Sequence, residues 1–311
     1  MKRALAILCG ALLALYPLGA MATSIALTGA GTAPTGGGGG GYTGPGDVQA
    51  FAHFYGVRAV TGTVAASGTA KALKVRNTST AETCDVLLAS GGGLGNTTGC
   101  SGASSGTAVA TFCGANCVVV TLYDQVVTGG TWDTTQATTT KQPALTFNCV
   151  STLPCLTFNG TSAQTLVSSS VTVSQPMTIS AVAIRTSHFT TQNDIISGAN
   201  GVFFNTSANT IGTWFGASTS TTANDGAWHA LHFVVNSSSS AFNVDGTFTS
   251  GQNWSTGALD TGWQIGAQQN TADPLYGSIA EVGIVTSALN STVTNNLCHN
   301  QSAYYGLGLS C

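Results

Sequence analysis

Charge is what this sequence has least of. Its 8 Lys and Arg and 11 Asp and Glu make 6% of 311 residues, against about 25% in ordinary soluble domains. A net charge of -3 gives no basic field for nucleic acid or an anionic lipid surface, so neither partner is expected. After the first line no apolar run reaches the roughly 20 residues that a membrane helix needs. There is no C-x-x-C pair and no His-rich spacing, so no metal is expected, and no motif asks for a cofactor. With only 5 histidines, a Ser-His triad is not expected either.

Cysteine and glycine, in contrast, are plentiful. Lys2 and Arg3 precede an apolar run from Ala4 to about Leu18, and Ala20-Met21-Ala22 supplies small residues for cleavage. This is the build of a secretory signal peptide, expected over residues 1–22. Cys9 lies inside that run rather than at its end, which argues against a lipid anchor. Eight cysteines follow, an even number in an oxidising compartment. Pairing sequence neighbours closes the shortest loops and predicts Cys84–Cys100, Cys113–Cys117, Cys149–Cys155 and Cys298–Cys311. Each bridge is then a local clip, contributing about 3 kcal/mol or less. Localisation is accordingly expected to be extracellular or periplasmic.

Residues 23–46 contain "GTAPTGGGGGGYTGPG" and read as a flexible linker. From 47 to 311 no second linker and no internal repeat occurs. Helical spacing is confined to "DVQAFAHFYGVRAV", residues 107–113 and "STVTNNLCHNQSAYYG". Elsewhere short β-branched and aromatic runs alternate with Gly, Asn, Ser and Thr turns, as in "VVVTLYD", "MTISAVAIRT", "HALHFVVN" and "GSIAEVGIV". The expected fold is all-β, a two-sheet antiparallel sandwich with a few short helices. Leu231, Phe233 and Val235 alternate with His232, Val234 and Asn236, giving one core face and one partly covered face. Asp245-Gly246 reads as a hairpin turn that tolerates positive φ. His229 and His232, three apart on a strand, fall on opposite faces and do not share a metal.

The order "AWHALHFVVNSSSSAFNVDGTFTSG", "WQIGAQQN", "LYGSIAEVGIVTSALN" resembles the concanavalin A-like, laminin G-like sandwich. Trp228, His229, Val244, Asp245, Gly246, Ile265, Gly266, Gly277, Ile279, Glu281, Val282, Ala288 and Leu289 carry the match. "FCGANCVVVTLYDQ", "TQATTTKQPALTF" and "LPCLTFNGTSAQTLV" resemble, more narrowly, the catalytic-domain family of α-L-arabinofuranosidase B. That resemblance implies one sandwich domain over 47–311. It also implies that Cys113–Cys117 closes the turn delivering a buried central strand, Val118–Leu122, which ends at Tyr123, Asp124 and Gln125.

The family's enzymes work as retaining hydrolases, with two carboxyl groups about 5–5.5 Å apart. Here the resemblance breaks at three places. The family's adjacent cysteines correspond to Asn193-Asp194. The strand that should bring the nucleophilic Glu, "GVFFNTSANTIG", holds no acid. Gln268 or Gln269 stands where the general acid should be, and an amide neither protonates a leaving group nor attacks an anomeric carbon.

The remaining carboxylates are two Glu and nine Asp. Glu281 fits the strand pattern as a structural acceptor, and Asp245 is a turn residue. Asp194, Asp225 and Asp273 fall in polar loops on the expected sugar face and are the candidates for sugar contact. Asp194 and Asp273 are also the weak candidates for catalysis. Trp214 either stacks on a sugar ring or packs in the core, and Trp132 and Trp254 are weaker stacking candidates.

Three functions remain open. One is a carbohydrate-recognising sandwich that has lost the usual catalytic carboxylates, its partner a polysaccharide bearing arabinose. The second is an active α-L-arabinofuranosidase with displaced carboxylates. The third is a structural or adhesive surface protein.

Overall fold

The computed structural model describes residues 41–311 except 128, 169–171, 188–190, 205–209, 216–225, 261 and 270–272. The expected signal peptide and the linker up to residue 40 lie outside the described residues, as does Asp225. A single helical turn, α1 (Pro45–Val48), precedes β1 (His53–Gly56) and α2 (Gly62–Ser67). Then come β2 (Lys71–Asn77), β3 (Thr83–Leu88), β4 (Leu94–Thr98), α3 (Val109–Cys113) and β5 (Cys117–Leu122). β6 (Thr134–Thr135), β7 (Ala144–Val150), β8 (Leu153–Asn159), β9 (Leu166–Ser168) and β10 (Met177–Arg185) follow. β11 (Asn193–Ser197), β12 (Gly201–Phe204), β13 (Ile211–Thr213) and β14 (His229–Val235) lead to β15 (Ser240–Val244) and β16 (Thr247–Gln252). β17 (Gln264–Ile265), β18 (Tyr276–Val285) and α4 (Ser291–Tyr305) complete the chain.

Every described ladder is antiparallel. One layer runs β16–β15–β14–β10–β18, with β1 and β8 side by side on the far edge of β18 and β7 beyond β8. The other runs β4–β3–β2–β5–β6–β9–β17–β11–β12–β13. A single pair, Val118 and Ala144, joins β5 to β7 across the two. Leu73, Val75, Val119, Ile179, Ile196, Phe233, Ile265 and Val282 form one continuous apolar cluster between the layers. This is the expected β-sandwich.

The outer face of β10, β14, β15 and β18 is not wet, because α4 covers it, with Leu297 in an apolar cluster beside Val285 and a set of polar contacts. Asn243 donates to Thr294 (3.0 Å), and Gln301 donates to Ser180 (3.0 Å) and Glu281 (2.9 Å). Both faces of β14 are therefore buried, where the sequence suggested one core face and one partly covered face.

All four expected disulfides are present. Cys113–Cys117 closes the turn from α3 into β5, and β5 lies inside its sheet, paired to β2 on one side and β6 on the other.

Two expectations need correction. "DVQAFAHFYGVRAV" is not a helix. After the short α1 it forms β1, whose His53, Phe54, Tyr55 and Gly56 pair with Ile284, Gly283, Val282 and Glu281. A long-range ladder on a buried strand here outweighs local apolar spacing. Residues 44–46, expected at the end of the linker, pack against the residues that follow. Gly46 N donates to the Val60 carbonyl (2.7 Å), and Asp47 Oδ2 accepts from Gly44 N (2.8 Å) and Gly62 N (2.7 Å).

Candidate functional site

The described residues expected around the sugar face gather on β11, after β13 and after β17. Asp194 sits opposite Phe203 in the β11–β12 ladder, and its backbone N donates to the Asp273 carbonyl at 3.0 Å. It is therefore a strand residue, not the loop residue expected, and it has no accessible surface. Register explains this: β11 is zipped to β12 on one side and β17 on the other.

Its Oδ1 accepts from Trp214 Nε1 at 3.3 Å, while Oδ2 is buried without a partner. Burial, and secondarily the negative charge of Asp273, push the Asp194 carboxyl well above the usual range. Desolvation disfavours the charged form and outweighs the hydrogen bonds from Trp214 and Ser197, so the carboxyl holds its proton to higher pH than a free aspartate does.

Trp214 follows β13 and is half-buried. Its ring lies against Phe203, centroids 4.9 Å apart at 46°. Phe203 reaches that position only because residue 212 is glycine, where a Cβ would stand 2.4 Å from the Phe203 ring. Gly212, Phe203 and Asp194 together fix the indole. An aromatic ring tied at its N–H and only half-buried presents an oriented apolar surface.

The other candidates flank it. Asp273 is half-buried in left-handed backbone (φ 46°), and burial pushes its carboxyl up as well. Gln268 is half-buried and Gln269 exposed; the Gln269 carbonyl accepts from Gln264 Nε2 at 2.7 Å. Asn193 is a lock rather than a contact, since its Oδ1 accepts from Tyr276 N at 2.9 Å. The structure thus brings Asp194, Asp273 and Trp214 together.

The Tyr-Asp-Gln motif is fully used inside the fold. Tyr123 donates to Asp85 (2.6 Å) and Asp124 Oδ2 meets His53 Nδ1 (2.6 Å). Gln125 accepts from Val60 N (2.8 Å) and donates to the Gly56 and Arg58 carbonyls. Trp132 stacks on His53, centroids 4.0 Å apart, and Trp254 is buried.

Glu281 is the structural acceptor that the strand pattern suggests. It pairs with fully buried Arg58 through both oxygens and accepts from Gln301 and Tyr305 at 2.9 Å. Gly102-Ala103-Ser104-Ser105-Gly106 has nucleophile-elbow spacing. Its Ser104 Oγ donates to Glu82 at 2.8 Å, and the segment is a bend and turn rather than a strand-to-helix corner.

A cavity of about 400 Å³ lies away from Trp214, lined by Trp228, His229 and Asp245 among others. In the sequence Trp228 and His229 fit the fold pattern alone, and the segments that complete the cavity are remote from them.

No protein-family model matches the chain, and no curated protein matches it. Solved structures do. A GH54 α-L-arabinofuranosidase soaked with a cyclic sulfate inhibitor aligns with a TM-score of 0.60 and 13% identity, over 85% of this chain and 66% of that one. An arabinofuranosidase complexed with arabinofuranosyl-α-1,2-xylobiose aligns at 0.61 and 12%, over 85% and 65%. The fold is arabinofuranosidase-like. The chain spans just under two thirds of the length of these structures.

Proposed function

We propose that this chain is a secreted carbohydrate-recognising domain related to the α-L-arabinofuranosidase B family, acting on its polysaccharide by binding rather than by cutting. In this reading residues 47–311 are one sandwich domain behind a cleaved leader and a flexible linker. The four disulfides fit an oxidising compartment, and no described helix is long and apolar enough to cross a membrane. The observation that carries the reading is the oriented indole of Trp214, held by Asp194 and Phe203 on the face where the sequence places sugar contact. Asp273, Gln268 and Gln269 then supply hydrogen-bonding groups around the ring. The two solved arabinofuranosidase structures, bound to inhibitor or to an arabinofuranosyl oligosaccharide, support arabinose-bearing polysaccharide as the partner.

Affinity electrophoresis tests this. Migration should be retarded in gels containing arabinoxylan, and less so in gels containing unsubstituted xylan. Equal migration with and without arabinoxylan refutes it.

A second reading, hydrolysis with displaced carboxylates, is favoured by one fact: Asp194 and Asp273 lie close enough for the charge of one to raise the pKa of the other. Against it, a carboxyl with no accessible surface cannot touch an anomeric carbon or a leaving oxygen. Loss of positioned general-acid catalysis alone costs roughly 10²–10⁴-fold, so release of 4-nitrophenol from the aryl arabinofuranoside should stay near the uncatalysed rate. Turnover abolished by Asp194→Ala or Asp273→Ala would promote this reading over binding.

A further inference from the structure

The cavity of about 400 Å³ is built from four segments far apart in sequence. Ser151 comes from the turn between β7 and β8. Trp228 and His229 lead into β14, and Asp245 stands in the β15–β16 turn. Leu307 and Leu309 belong to the tail after α4. None of them belongs to the Trp214 face.

Two of the four disulfides hold the walls. Cys149–Cys155 closes the hairpin whose tip carries Ser151, and Cys298–Cys311 ties the tail to α4. The tail is further fixed by Leu307 N donating to the Ser302 carbonyl (3.0 Å) and Leu309 N to Ser302 Oγ (2.9 Å). It lies directly on the β15–β16 turn, where a Cβ on Gly246 would stand 2.4 Å from Cys311 Cα. Walls fixed before a ligand arrives reduce the ordering cost of binding.

The lining selects the ligand. Among the described residues no Lys or Arg lines the cleft. The one carboxylate among its described lining residues is already engaged, Oδ2 by His229 Nδ1 at 2.6 Å and Oδ1 by Ala230 N at 2.9 Å. Among these described residues a charged ligand finds no unbalanced opposite charge. What the cleft offers is the half-buried ring of Trp228, the leucine side chains of the tail, and the acceptor lone pairs left on Ser151 Oγ and on the Asp245 carboxylate. A molecule with one apolar face and hydroxyls around its edge matches that set, and the volume suits a small ring ligand. Ser151 Oγ donates to the Tyr305 carbonyl (3.2 Å), so its proton is directed away from nucleophilic use with His229. We infer that this disulfide-walled cleft is a second binding site, taking a neutral sugar residue.

Amide-resolved NMR titration of the full chain with α-1,5-arabinotriose and with xylotriose tests it. In the Trp214→Ala variant, saturable shifts should persist at Ser151, Ala227 and Leu307. In Leu309→Trp, which fills the cleft from its half-exposed wall, affinity read at those amides should fall by about tenfold or more, with the Trp214 indole response intact. The Cys298→Ser/Cys311→Ser variant, which releases the wall by another route, should give the same loss. If neither sugar shifts those amides in the wild-type protein, or if Leu309→Trp leaves their titration unchanged, the cleft is not a sugar site. Failure of the Trp214 reading gives a different pattern: the indole signal stays still while the cleft amides titrate.

Discussion

The indole Nε1–H of Trp214 donates to Oδ1 of Asp194 at 3.3 Å, and the second oxygen of that carboxyl is buried with no partner. An acid whose folded pKa lies above its unfolded value holds its proton longer when folded. Its contribution to stability is therefore present at low pH and is lost as pH rises above about 4. Asp194→Asn keeps an acceptor for the indole and removes the titration. Its melting temperature relative to wild type should be higher at pH 7 than at pH 3. An equal difference at both pH values would show that Asp194 is not desolvated as described.

His232 gives the opposite sign. It is fully buried beneath α4 beside Gln301, and burial, outweighing the Gln301 side chain, pulls its pKa down to about 3. The unfolded chain takes up this proton near pH 6.5 and the folded one only near 3, so stability falls as pH drops through that interval. The slope from this group reaches ~1.4 kcal/mol per pH unit. Denaturant melts of His232→Leu between pH 7 and 4 should show a flatter acid limb than wild type; an unchanged limb assigns acid loss to other groups.

Arg58 and Glu281 are a buried pair with every strong contact satisfied, and Arg58 also packs over the rings of Tyr304 and Tyr305. Removing one charge strands the other. Glu281→Gln should cost about 3–5 kcal/mol, whereas the double change Arg58→Met/Glu281→Leu should cost less than the sum of its single changes. A double-mutant cycle by urea denaturation measures this, and simple additivity would contradict it.

Gly212 connects backbone to platform. Gly212→Ala places a methyl against the Phe203 ring and should cost about 1–3 kcal/mol by overpacking. It should also displace Trp214 and weaken arabinoxylan retardation without touching any polar group. Full stability loss with unchanged retardation would separate the indole from the site.

What the sequence made legible was local. The four disulfides close short loops, and Asp245-Gly246 turns a hairpin with φ 53° and 90°. α4 carries an Asn290 side-chain cap on Val293 N and ends at Gly306 in left-handed backbone. What was hidden depended on pairing between distant segments. His53–Gly56 has apolar neighbours at helical spacing, yet β18 draws it into the sheet. Asp194 sits in a polar stretch, and only its register between β12 and β17 buries it. The Trp228 cleft needs four segments that no local pattern associates.

The most direct test of the account is a calorimetric titration of wild type and Trp214→Ala with arabinoxylan oligosaccharides under conditions where product release is monitored. The account predicts saturable heat without hydrolysis in the wild type, and an affinity about tenfold or more weaker in Trp214→Ala. Equal affinity in the two proteins, or release of arabinose by the wild type, would contradict it.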